Sequence, residues 1–272
     1  MKAARFLIVI VAAVALGVVL ARWYWPEPKQ EPEKETQGIA DSIPEPEKTP
    51  VPKVRHPVVE KSEETESDEE PEKPLPSLEE SDSPLRDALA GLLPERRLEE
   101  TLILENLIGR VVLMVDALPR ETLPMSRLPV RQAEGDFLVE KRAGDLFISP
   151  DNFRRYTPYV RLAEIVDAED LASLYARYYP LFQQAYEDMG YPDRYFNDRL
   201  IQVIDHLVET PEPERPVRLV QPKVRYRYAD PELEALSAGR KILVRIGPDN
   251  AAVLKDKLQE IRKELIELES RR

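Results

Sequence analysis

Two histidines, His56 and His206, and no cysteine occur in the 272 residues. The missing thiol removes disulfides, Cys-ligated zinc, iron–sulfur clusters and cysteine nucleophiles. In the apolar-rich part of the chain, a Ser-His-acid relay or a multi-histidine metal site would have to use His206. Leu200, Ile201, Ile204, Leu207 and Val208 form one stripe at helical spacing. At about 100° per residue His206 falls on the polar face with Gln202 and Asp205. A solvated surface histidine is the expectation. The chain has no Gly-x-Ser-x-Gly elbow, His-Glu-x-x-His pair or Gly-x-x-x-x-Gly-Lys loop. Neither a metal nor a cofactor is expected.

Acid/base chemistry is left to the carboxylates. Glu187, Asp188, Asp198 and Asp205 flank an aromatic-rich turn, Met189 to Phe196. A glycosidase acting on a cell wall would need two of them about 5–10 Å apart in a cleft, one with a raised pKa. Residues 83–272 carry 33 acidic side chains, so such a set arises by chance, and solvated or salt-bridged carboxylates are the plainer reading.

Two further groups suit binding. Tyr175, Tyr178, Tyr179, Phe182, Tyr186, Tyr191, Tyr195 and Phe196 are crowded together. They fit either a helix–helix core or, through Tyr186, Tyr191, Tyr195 and Phe196, a recognition surface. Lys223, Arg225 and Arg227 alternate with Val224, Tyr226 and Tyr228, a period-2 pattern predicting a half-buried strand with a basic outer face. Such a stripe could bind an anionic polymer or phosphate headgroups. It could equally be an edge strand whose charges prevent aggregation.

The elements that must hold these groups are mostly helices. Ser83-Pro84, Ser149-Pro150, Thr157-Pro158 and Asp230-Pro231 each place a capping side chain before a proline at the first helical position. Asp167 with Asp170 resembles a capping box. The predicted helices run 84–93, 95–118 with a break, 150–156, 158–166, 168–189, 194–209, 231–245 with a break, and 248–270. Pro180 predicts a kink or break near Tyr179. Residues 137–140 and 146–148 read as a hairpin, with Gly144 supplying positive φ. Leu254, Leu258, Ile261, Leu265 and Leu268 recur at heptad spacing, which suits packing on the domain or weak self-association. The fold class is mainly α with a small β element (α+β): one globular helical domain over 81–272.

Ahead of it lies a different texture. Phe6 to Ala21 is unbroken apolar sequence, preceded by Lys2 and Arg5. Residues 1–25 therefore read as a short cytoplasmic stub and a single-pass transmembrane helix, anchored through Phe6 to Leu20 and closed by the interfacial rings of Trp23 and Trp25. Ala13-Val14-Ala15 leaves a cleaved signal peptide as the alternative. Residues 26–80 form a Pro- and Glu-rich spacer that lacks the apolar surface to offset its ordering entropy. The formal charge of −12 is concentrated there: residues 26–82 hold 7 basic and 18 acidic side chains, against 29 and 33 in 83–272.

Several runs also carry a family likeness. They are Tyr179-Pro180-Leu181-Phe182-Gln183-Gln184-Ala185-Tyr186, Gly190-Tyr191-Pro192, Tyr195-Phe196-Asn197-Asp198-Arg199-Leu200 and Val203-Ile204-Asp205-His206-Leu207. Val220-Gln221-Pro222-Lys223-Val224, Ala229-Asp230-Pro231 and Leu236-Ser237-Ala238-Gly239 follow. Together, over about Ser81 to Leu265, they resemble a family of mostly proteobacterial proteins classed as a domain of unknown function. The resemblance implies an architecture of membrane anchor, Pro-rich spacer and one C-terminal domain, and no chemistry.

The resulting expectation is a bacterial inner-membrane protein with the bulk of its chain in the periplasm. It would act by non-catalytic binding or scaffolding on an envelope protein or anionic polymer, and not on nucleic acid. The alternative is a tethered envelope hydrolase using paired carboxylates.

Overall fold

The computed structural model describes residues 74–91 and 94–270. The anchor read at Phe6 to Trp25, most of the spacer and His56 lie outside the described residues. Among the described residues, no helix is long and apolar enough to cross a membrane.

Over the described residues the chain is mainly helical with one small antiparallel sheet, as its α+β pattern predicts. In order, the elements are α1 (Asp82–Ala90), α2 (Glu95–Thr101), α3 (Leu107–Ala117), β1 (Val139–Arg142) and β2 (Asp145–Ile148). After these come α4 (Pro150–Arg154), α5 (Thr157–Ile165), α6 (Ala168–Asp188) and α7 (Phe196–Val208). The C-terminal part adds β3 (Arg218–Val220), β4 (Arg227–Tyr228), α8 (Pro231–Glu234), α9 (Ala238–Arg245) and α10 (Pro248–Ser270). The strands lie in the order β1-β2-β3-β4, all neighbours antiparallel.

The main core sits among α3, α5, α6, α7 and α10. Leu254, Leu258, Ile261 and Leu265 of α10 are almost fully buried in it, and Leu268 packs partly against it. The heptad stripe is thus spent within the chain. A smaller core lies under the sheet, where Ile148, Val217, Leu219 and Tyr228 meet Leu233 and Val244.

Capping follows the side chains that had the right reach. Ser149 and Asp230 accept the backbone N–H groups of Asp151 and Glu232, at 3.3 and 2.8 Å. Asp167 accepts those of Glu169 and Asp170, at 2.9 and 3.1 Å. Two expected caps differ. α1 begins at Asp82, ahead of Ser83, because Pro84 is tolerated anywhere in a first turn whose N–H groups have no helical partner. Thr157 is the first residue of α5, not its cap, and its hydroxyl reaches Asn250 Oδ1 at 3.5 Å.

Three other expectations need correction. Of the kink or break expected near Tyr179, the break does not occur: α6 stays helical through Pro180. One lost backbone bond is outweighed by a continuous buried stripe on both sides: Tyr175, Tyr178, Leu181, Phe182, Ala185 and Tyr186. The β1–β2 connection is a two-residue turn, tighter than the loop expected at 141–145. Ala143 and Gly144 both have positive φ, 51° and 93°, the combination that matches strand twist. The strand expected at 223–228 survives only as Arg227–Tyr228. Residues 221–226 instead form the loop between β3 and β4, and Val224 is 89% exposed where the alternation put it in the core.

Candidate functional site

The best-organised polar cluster centres on Asp116, which the sequence reading did not single out. α3 is buried over most of its length, and Asp116 is carried inward near its C-terminal end, only 4% exposed. A buried carboxylate requires partners. Arg120, one turn on, pairs with it directly. Arg199, from the first turn of α7, donates through Nε to its Oδ1 at 3.2 Å and through a terminal nitrogen to its backbone oxygen at 2.9 Å. The Tyr191 hydroxyl donates to Oδ2 at 3.3 Å and accepts from Arg120 at 2.9 Å. Asp116 in turn raises the pKa of the Arg120 guanidinium.

Tyr191 is placed by the turn between α6 and α7. Gly190 supplies the positive φ of 100° that ends α6. The Gln183 amide then clamps the turn. Its nitrogen donates to Glu187 Oε1 and to the Arg194 carbonyl, at 2.8 and 2.9 Å. Its oxygen accepts the Phe196 N–H at 2.8 Å, taking the place of a side-chain cap at the start of α7. Tyr191 stacks on Tyr186 at 4.7 Å, and the exposed Arg194 guanidinium lies over its ring at 5.6 Å.

The face continues along α7. Arg199 donates to Gln202 Oε1 at 2.8 Å, and His206 follows on the same side. His206 is not simply solvated. Its Nε2 meets Ser237 Oγ at 2.8 Å, while Ser237 accepts the Arg240 N–H at 3.3 Å as cap of α9. The serine oxygen can also accept from Nε2–H, so the tautomer of the ring sets which partner donates. Burial, then the Arg240 charge, hold the His206 pKa below the ordinary histidine value. Arg240 also donates to the His206 carbonyl at 2.8 Å and to Glu209 at 3.3 Å. The start of α9 is fastened to the segment after α3: Ala238 and Gly239 donate to the carbonyls of Arg120 and Leu118, at 2.7 and 2.9 Å.

Arg120, Arg194, Arg199 and Arg240 thus supply the guanidinium groups of this region, set against Asp116 and Glu209, while the Tyr191 hydroxyl and the Gln183 amide are spent on internal bonds. A family model described as "Protein of unknown function (DUF3014)" matches residues 107–262. The chain belongs to that family. The DUF3014 match opens on the first residue of α3 and closes inside α10, so it takes in every residue of this face. No curated protein and no solved structure matches the chain.

The sequence-predicted residues divide. Tyr186 and Phe196 are core residues, 2% and 0% exposed, and present no surface. With Tyr175 and Phe182 they form a packed aromatic set, Phe182 stacked on Phe196 at 5.7 Å. Tyr191 and Tyr195 are half-buried, and only Tyr191 enters the Asp116 cluster. Lys223, Arg225 and Arg227 lie apart, on the β3–β4 loop and at its end. Of the carboxylates, Asp205 pairs with Arg262 at 2.5 Å and Glu187 accepts from Gln183. A surface groove of about 420 Å³ lies elsewhere, between Glu164–Glu169 and Lys257, Glu260, Lys263 and Glu264 of α10. Among the described residues, no three His, Cys, Asp or Glu side chains gather as a metal site requires.

The Asp116 cluster was hard to read because its members come from α3, α7 and the turn between α6 and α7. A hydrophobic helix ending in Val115-Asp116-Ala117 does hold the one available signal: an acid where the apolar pattern asks for a core residue.

Proposed function

We propose that this DUF3014 protein is a non-catalytic binding protein. Residues 1–25 hold it in a bacterial inner membrane, and its folded part faces the periplasm. There the Arg120–Tyr191–Arg199 face takes an acidic envelope partner, a protein or an anionic polymer. The observation that carries the binding role is the buried Asp116 carboxylate. With the Tyr191 phenol it holds two guanidinium groups in fixed positions, so the guanidinium N–H groups that remain free meet an oxyanion with little entropy left to lose. Arg120 keeps 55% of its side chain in solvent. Guanidinium and phenol groups stay protonated near neutral pH and suit recognition better than proton transfer.

The test is a photo-crosslinking residue at position 194, beside Tyr191, in the full chain in living cells. A discrete adduct with an acidic partner is expected, lost in Arg120→Glu and unaffected by substitution of the remote Arg142. Absence of any adduct, or an adduct indifferent to Arg120, contradicts the proposal.

A further inference from the structure

We infer that the β3–β4 loop is a membrane-touching finger, which binds the headgroup surface of a bilayer bearing anionic lipids. The inference rests on the tether proposed above and extends it to a second, independent contact.

The loop combines features that a protein surface facing only water does not need together. Val224 sits at its tip, 89% exposed, and Val220 at its base is 41% exposed. Lys223 precedes the tip, and Arg225 and Arg227 follow it. Among the described residues, no carboxylate pairs with any of these three cations. The contrast with the neighbouring basic residues is sharp. Arg218 is tied to Asp145 at 2.6 Å, and Arg215 lies over the Phe153 ring at 5.5 Å. The tip is also shaped. Gln221 Nε2 donates to the Val224 carbonyl at 3.1 Å, and Tyr226 anchors the returning limb against Phe137 at 6.1 Å. Val220 faces Arg227 across the β3–β4 pair, so apolar and basic groups share the outer side while Leu219 and Tyr228 turn inward.

A purely anionic polymer would neutralise the cations and leave the Val224 methyls in water. A headgroup layer satisfies both, because phosphates meet the cations and the branched side chain enters the acyl boundary. Each basic side chain near an anionic surface strengthens association by roughly fivefold, which is weak alone. The tether supplies the rest. Attachment of the same chain to the bilayer keeps the loop at high effective concentration there. The acidic run of the spacer, Glu63 to Glu72, is the competing occupant on charge grounds, but it too offers Val224 nothing apolar.

The chain contains no cysteine, so Val224→Cys gives one labelling site. The full-length chain, labelled there with a polarity-sensitive dye, is reconstituted into phosphatidylcholine vesicles with or without phosphatidylglycerol, both carrying a shallow nitroxide quencher. Flotation reports the tether separately. The expected result is a blue shift and several-fold quenching in the anionic vesicles only, abolished by Lys223→Glu with Arg225→Glu. A floating chain whose label stays wet overturns the finger and spares the tether. Equal quenching in both vesicle types overturns the charge dependence. Shielding without lipid that disappears when residues 63–72 are replaced by Gly and Ser assigns the loop to the spacer and overturns the inference. A chain that does not float overturns the tether and the finger together.

Discussion

At the scale of single residues, the costs fall on buried polar atoms. The Tyr175 hydroxyl is fully enclosed, has no hydrogen-bond partner among the described residues, and is pushed well above its usual pKa by burial. Tyr175→Phe is expected to leave the fold intact and stabilise it by about 1 kcal/mol, read from a urea midpoint; a loss of stability would mean that the hydroxyl is satisfied. Asp116 is the opposite case. Asp116→Ala strands Arg199 and loosens Arg120 and Tyr191, with an expected cost of about 3 kcal/mol. His206 adds a pH dependence. Its folded-state pKa is lowered, so its contribution is present above the ordinary value of about 6.5 and is lost as pH falls through the lower folded value. Wild type should lose more stability than His206→Gln on acidification below about pH 6.5; parallel losses would contradict the lowered pKa of His206. Tyr191 was visible in the sequence as an interface-type residue. Asp116 was one acid among 33 in residues 83–272, and only the packing of α7 on α3 distinguishes it.

At the scale of elements, pattern was legible wherever local energetics decide. Pro after a capping residue marked α4 and α8, and the helix predicted at 248–270 has the bounds of α10. Where tertiary packing decides, the local signal misled. Pro180 reads as a breaker, yet α6 runs on because both halves bury the same face. Pro180→Ala should therefore stabilise the protein by about 1–3 kcal/mol, with the helix restored to full hydrogen bonding. Destabilisation would show that the proline shapes the helix. The β3–β4 region failed for a different reason. Alternation of residue types from Lys223 to Tyr228 mimics a strand, but β4 has only two residues in register, and the rest turns. Gly239 tests the seam between α3 and α9. A Cβ there would stand 2.6 Å from Leu207 Cδ2 and 3.1 Å from the Leu118 carbonyl oxygen. The backbone oxygen cannot yield as a side chain can. Gly239→Ala should lower stability by about 1–3 kcal/mol and loosen the Arg120 side of the face. An unchanged midpoint would mean that the seam is loose.

At the scale of the molecule, the two cores divide the work. The helical core fixes the arginine face, and the small core under the sheet fixes the β3–β4 loop. The partner, the orientation and the loop's membrane contact all depend on residues 1–25 holding the chain at a bilayer. Sequence makes that reading from apolar length, basic flank and terminal Trp residues, which are properties of the segment alone. The most direct measurement is protease treatment of spheroplasts, followed by alkaline extraction of their membranes. The account expects the folded part to be cut by externally added protease and the undigested chain to stay in the membrane pellet, both behaviours vanishing when residues 1–25 are removed. A chain released to the soluble fraction as a shortened form, or one protected from protease until the cells are lysed, would contradict it.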